Sequence, residues 1–259
     1  MNYLVKKYPQ GTFSWADVNS TDMEATKKFL VGLFGWTYTD IPDMNYTLFY
    51  LDGHRVAGGC PSPEGVPHSY WSSFISVDNA DEIAKKAVEL GATELFPPMD
   101  VMEEGRLYGV TDPTGATIMF WQPKNNTGAQ IVNTVGAMSW NELYSPDLPV
   151  AKEFYTKLLG WEFTEVPEMD NYTVIKNNGR TNGGAMKLTP DMGDFPPNWT
   201  VYFTVANMEE SLSKVKELGG TVYMGPMDIS VGKISMVADS AGAALMIIEM
   251  SVPPEEWID

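Results

Sequence analysis

With 259 residues, of which 44% are hydrophobic and 20% charged, the chain is long enough to bury one large core or two ordinary ones. Its 17 basic residues against 34 acidic ones give a formal charge of −17, which argues against nucleic acid or an anionic lipid surface as partner, because both draw on clustered Lys and Arg. No apolar run is long enough to span a membrane, the opening MNYLVKKYPQG lacks the apolar core of a signal peptide, and the lone Cys60 cannot close an internal disulfide. A cytoplasmic protein is therefore expected.

The first predicted element is the alternating strand TFSWADV, followed by a helix announced by Thr21 and Glu24 as a capping box, with Met23, Phe29, Leu30 and Leu33 as its buried stripe. Gly35 ends that helix in the left-handed conformation. Strands are predicted at WTYTD, YTLFYL and RVAGGC, then at WSSFISV, before a second helix from about Asp81 to Leu90 that stops at Gly91. Three more strands end in TIMFWQ, the last preceded by the turn Asp112-Pro113-Thr114-Gly115.

The same order then recurs about 125 residues further on. WADVNSTDMEATKKFLVGLFGW from Trp15 has its counterpart in WNELYSPDLPVAKEFYTKLLGW from Trp140, where Ser145 is the expected cap, Pro146 the first helical residue and Gly160 the stop. Gly58-Gly59 match Gly183-Gly184, and DPTGATIM matches DSAGAALM. Two domains, 1–123 and 134–259, are expected on either side of the polar PKNNTGAQ, each made of two βαβββ modules.

Paired βαβββ modules, FYTKLLGW at the end of a first helix, SVDNADEIAKKAVELGA opening a second module and DPTG before a last strand resemble the vicinal oxygen chelate superfamily, which includes glyoxalase I, bleomycin-resistance proteins and extradiol dioxygenases. The resemblance covers nearly the whole chain, twice, and is similar to tandem two-domain glyoxalase-like proteins. It implies an α+β fold of two tandem domains, each a cup-shaped, incompletely closed barrel. It also implies metal ligands on first and last strands. Matched onto this chain, those positions carry Trp15, a residue near Gly59, Ser72 and Met119 in the first copy, and Trp140, about Gly184, Thr200 and Met246 in the second. These are poor hard-metal ligands, and neither of the two histidines, His54 and His68, lies in the second copy, so no metal and no other cofactor are expected.

Side chains two apart on a strand share a face, which puts Phe13 and Asp17 beside Trp15, Met138 and Glu142 beside Trp140, and Trp121 beside Met119. Each cup is expected to have an aromatic and thioether floor with one carboxylate on its wall, either as a small-molecule pocket or as a filled core. Asp17 and Glu142 are the candidate acid or base groups. Trp15, Met119, Trp121, Trp140, Met246, Tyr46, Tyr172, Arg106 and Lys233 are the candidate ligand contacts, the last two to balance a carboxylate or grip an anion. Metal-free binding of a small, partly apolar or aromatic molecule by a monomer or homodimer is the expectation. The alternatives are a lyase, isomerase or hydrolase working through Asp17, Glu142 or an atypically held metal, and a protein interaction module with filled cups.

Overall fold

The computed structural model describes residues 4–167, 169 and 171–252, so the outer ends of the two expected domains, at residues 1 and 259, lie outside the described residues. The first domain contains β1 (Phe13–Ser20), α1 (Met23–Phe34), β2 (Thr37–Ile41), β3 (Tyr46–Leu51), β4 (His54–Pro61), β5 (Tyr70–Ser76), α2 (Ala80–Glu89), β6 (Thr93–Val101), β7 (Gly105–Thr111) and β8 (Thr117–Pro123). The second repeats this order as β9 (Met138–Ser145), α3 (Leu148–Leu159), β10 (Glu162–Glu165), β11 (Tyr172–Asn177), β12 (Arg180–Lys187), β13 (Asn198–Thr204), α4 (Met208–Glu217), β14 (Thr221–Ile229), β15 (Gly232–Ala238) and β16 (Ala244–Met250). Each domain is one open eight-stranded sheet, ordered β2-β3-β4-β1-β5-β8-β7-β6 and β10-β11-β12-β9-β13-β16-β15-β14. The two βαβββ halves of each domain thus meet along the antiparallel pairs β1–β5 and β9–β13, as the repeat predicts.

Helix boundaries differ slightly from expectation, and the caps explain why. Asp22, not Thr21, caps α1 by accepting from the Ala25 amide, while Thr21 bonds Ser69 across to the start of β5. Asp147, not Ser145, caps α3 by accepting from Val150, with Pro149 in its first turn, and Ser145 instead accepts from the Asp147 amide. Gly35 and Gly160 do end these helices at φ of 71° and 76°.

The two domains share their cores. Helix α1 packs on α4 and α2 on α3, and β5 touches β13. One large buried cluster joins Phe13, Ile75, Tyr108 and Ile118 to Tyr155, Trp161 and Trp199, and a second large one joins Phe29, Trp36 and Phe49 to Phe203, Leu212 and Ile247. Polar bonds cross the seam reciprocally. Trp36 donates to the Gly136 carbonyl at 2.7 Å and Trp161 to that of Gly11 at 2.8 Å. Asp112 accepts from Tyr155 at 2.8 Å, and Asp239 accepts from Thr26. The connecting segment is structured as well, because Ala129 donates to the Ser14 carbonyl and Ala129 and Ile131 are buried.

Candidate functional site

The face of each sheet turned away from the helices carries the candidate residues other than Arg106 and Lys233. In the first cup Trp15, Phe74, Trp121 and Ala129 form a buried apolar floor, with Leu48, Leu107 and Met119 packed against it. Strand alternation supplies most of this set, but not Phe13: a bulge between Phe13 and Trp15 turns Phe13 into the interdomain core, where its ring lies 5.0 Å from that of Trp199. Met138 is displaced in the same way by the register shift opposite Tyr202 and Phe203. Neither residue therefore shares the cup with its tryptophan, contrary to simple alternation.

Asp17 stands at the head of this floor. Its Oδ1 accepts from the Tyr46 hydroxyl at 2.6 Å and from the Trp15 indole at 2.7 Å, and the indole also reaches the Tyr46 oxygen at 3.1 Å. Among the described residues no hydrogen bond reaches Oδ2, and the side chain stays partly accessible. Burial raises its pKa to about 6 against the opposing pull of the Tyr46 and Trp15 bonds. Two further polar groups, Asn19 and Cys60, neither of them among the candidate site residues, sit beside it. Asn19, two residues along β1, donates to Ser72 at 3.1 Å and accepts from Cys60 Sγ at 3.4 Å, while burial and then the Asp17 charge push the Cys60 thiol up to about 12.

The glycine pairing is shifted by one. Gly58 faces Asp17 across the parallel β1–β4 pair, and a Cβ there would overlap the Tyr46 hydroxyl and Asp17 Oδ1; Gly184 holds the same place against Glu142 and Tyr172. Gly59, the position first matched, instead faces Val18 and Met23 on the helix side. The cup-facing set at the positions where the resemblance implies metal ligands is thus Trp15, Gly58, Ser72 and Met119, or Trp140, Gly184, Thr200 and Met246. An indole, a missing side chain, one hydroxyl and a thioether do not fit a hard divalent cation. Among the described residues no three His, Cys, Asp or Glu side chains converge as metal ligands.

The second cup is built on Tyr202, Ile234, Met246 and Ile248, with Trp140, Met236 and Met250 against them. Glu142 is only 5% exposed. Its pKa is raised by burial, against hydrogen bonds from Tyr144, Tyr202, Tyr172 and Trp140, that from Tyr202 measuring 2.9 Å. Tyr144 and Tyr202 were not among the candidate residues, although each lies two positions beyond a cup-facing one, which is the signal that finds them.

Arg106 and Lys233 do not enter the cups. On β7 the cup side is taken by Leu107, and Arg106 turns the other way to make a bidentate pair with Asp81 at the start of α2, at 2.8 and 2.9 Å, and a 3.4 Å pair with Asp100. Lys233 precedes the cup-facing Ile234 and stands opposite Glu249 and Asp228. His68 is exposed beside the Tyr70 ring, and His54 opens β4 away from Asp17. Two clefts, of about 320 and 190 Å³, follow the interdomain seam beside α1 and α4 and beside α2 and α3, rather than the cups. No helix among the described residues is long and apolar enough to cross a membrane.

The model of the Glyoxalase/Bleomycin resistance protein/Dioxygenase superfamily matches residues 12–120 and 134–247. The Mycobacterium tuberculosis protein named "Putative glyoxylase CFP32" is 36% identical over 253 residues, covering 94% of this chain and 96% of that one. The anthracycline biosynthesis protein DnrV of Streptomyces peucetius is 28% identical, covering 94% and 95%. Among solved structures, the Mn(II)-bound glyoxalase from Novosphingobium aromaticivorans superposes with a TM-score of 0.67 at 16% identity, over 93% of this chain and 82% of that one. The 2,3-dioxygenase LapB from Pseudomonas sp. KL28 does so with a TM-score of 0.65 at 14% identity, over 96% of both.

Proposed function

We propose that this chain, which belongs to the glyoxalase/bleomycin resistance protein/dioxygenase superfamily, binds a small, partly apolar or aromatic molecule without a metal, at Asp17. The observation that carries this is the state of Asp17: a partly accessible carboxyl at the head of a Trp15, Phe74, Met119 and Trp121 floor, held on one oxygen by Trp15 and Tyr46. Such a group orients a ligand by one polar contact while the floor supplies the apolar area. The donors at the family's metal positions support the metal-free part, and a relative named for anthracycline biosynthesis is consistent with an aromatic ligand. Titration of the protein with hydroxylated aromatic compounds, followed by tryptophan fluorescence, tests it. Saturable quenching that Asp17→Asn weakens is expected. No saturable response across such a panel, or tightly bound stoichiometric metal in protein purified without chelator, would remove it.

A second reading, acid–base catalysis, is favoured by the same carboxyl, because a group with a pKa of about 6 exchanges protons readily near neutrality. Asp17 would take a proton from the ligand through Oδ2 and Tyr46 would steady the charge on Oδ1. Turnover that survives intact in Asp17→Asn would separate binding from this chemistry.

A further inference from the structure

The two copies of the cup can be compared position by position, since their registers coincide. Trp15 pairs with Phe74, Asp17 with Ser72 and Asn19 with Tyr70, as Trp140 pairs with Tyr202, Glu142 with Thr200 and Tyr144 with Asn198. Three exchanges then stand out. Where the second cup has Tyr144, Tyr202 and Asn198, the first has Asn19, Phe74 and Tyr70, and Tyr70 is not among the donors to Asp17. Tyr202 donates to Glu142 at 2.9 Å, and Tyr144, Tyr172 and Trp140 also bear on that carboxyl, opposing the effect of burial on its pKa. On Asp17 Tyr46 and Trp15 alone do so among the described residues, both at the same oxygen.

We infer that the cups are unequal: the second is filled by its own tyrosines, and the first alone takes a ligand, a hydroxylated aromatic molecule whose hydroxyl occupies the place of the missing phenols. This rests on the metal-free binding reading given above. A buried carboxylate lacking donors carries a desolvation cost that a ligand hydroxyl relieves, and a carboxylate already surrounded has no such need. Accessibility follows the same division, with Asp17 and Met119 half-buried, and Glu142 and Met246 at 5% and 0%. Trp15, at 4% exposed, is more enclosed than the half-buried Trp140, because Ala129 and Val132 of the connecting segment pack into its floor. The first cup is therefore open at its carboxylate end and closed beneath the indole. An aromatic acid is disfavoured there, since its charge would face Asp17 with Arg106 turned to the other side of the sheet.

The probes are 2-naphthol and 2-naphthoate, followed by calorimetry for stoichiometry and by the side-chain N–H signals of Trp15 and Trp140, one reporter in each cup. One 2-naphthol per chain is expected, moving the Trp15 signal and leaving that of Trp140, with 2-naphthoate bound about ten-fold more weakly or not at all. Filling the first cup with Asn19→Tyr and Phe74→Tyr is expected to weaken binding by at least about ten-fold while the Trp140 signal stays in place. Opening the second with Tyr144→Asn and Tyr202→Phe is expected to raise the stoichiometry to two. Two molecules per parent chain, movement of Trp140 alone, or undiminished binding by a folded filling variant would each overturn the inequality and leave the binding reading standing. No binding by the parent would remove both.

Discussion

Asp17 and Gly58 face each other on neighbouring parallel strands, and the hydrogen atom that is the glycine's side chain is what admits the Tyr46 hydroxyl to the carboxylate between them. Gly58 is not in the left-handed region, so its role is one of space. A methyl group there would overlap the Tyr46 hydroxyl and Asp17 Oδ1, so it must displace the phenol or the carboxylate. Gly58→Ala is therefore expected to cost about 1–3 kcal/mol in urea denaturation and to abolish ligand quenching at Trp15. Gly184→Ala, which meets Tyr172 in the second cup, is the matched control: a similar loss of stability with binding retained. Equal effects of the two on binding would contradict the assignment of the site to the first cup.

The Asp17 carboxyl gives the protein a pH signature whose sign is fixed. Its folded pKa of about 6 lies above the ordinary 3.8, so the native state holds the proton more tightly than the unfolded chain. Its contribution to stability is complete below about pH 4 and is lost as pH rises through about 6, by at most ~3 kcal/mol for the two-unit difference. Asp17→Asn is expected to flatten that interval in parallel urea denaturation series at several pH values, and to be at least as stable as the parent near neutrality. A carboxyl carbon resonance of Asp17 titrating near 4 would contradict the burial that drives the shift.

Much of the fold is legible in the sequence, and the divisions have physical causes. The repeat, the strand and helix order and the glycine stops follow from local periodicity and from backbone conformations that few residues adopt. Alternation along a strand survives translation into space, which is why Trp15, Asp17, Met119 and Trp121 share one face of the first sheet. Phe13 and Met138 were misplaced because a bulge inserts one residue and reverses the facing of everything before it, with no mark in the sequence. The one-residue shift that makes Gly58 the partner of Gly184 arises likewise from strand pairing, and the turning of Arg106 toward Asp81 depends on where α2 begins in space.

Arg106 accordingly provides a negative control. Its guanidinium is held by Asp81 and Asp100 on the helix side of β7, raising its pKa chiefly through the Asp81 hydrogen bonds. Arg106→Ala is expected to leave 2-naphthol affinity within about two-fold of the parent and to change stability little, since an exposed ion pair contributes little in water. A loss of affinity beyond about ten-fold would place the guanidinium in the site after all.

The reciprocal anchors across the seam predict how the chain unfolds. Tyr155 donates to Asp112 Oδ2 at 2.8 Å while receiving the Trp199 indole at 2.7 Å, and Asp112 Oδ1 holds its own turn through the Thr114 and Ala116 amides. Removing the phenol hydroxyl in Tyr155→Phe leaves a buried carboxylate oxygen and a buried indole N–H unpaired, which is expected to cost about 1–3 kcal/mol for each group left unsatisfied. Asp112→Asn should cost less when added to Tyr155→Phe than alone, a coupling of about 1 kcal/mol or more in a double-mutant cycle. Because the two large buried clusters draw side chains from both domains, and only the small cup floors lie within one, urea is expected to unfold the parent and both variants in one transition by fluorescence and circular dichroism alike. Two separated transitions in the parent would mean that the halves are independent bodies joined at a surface.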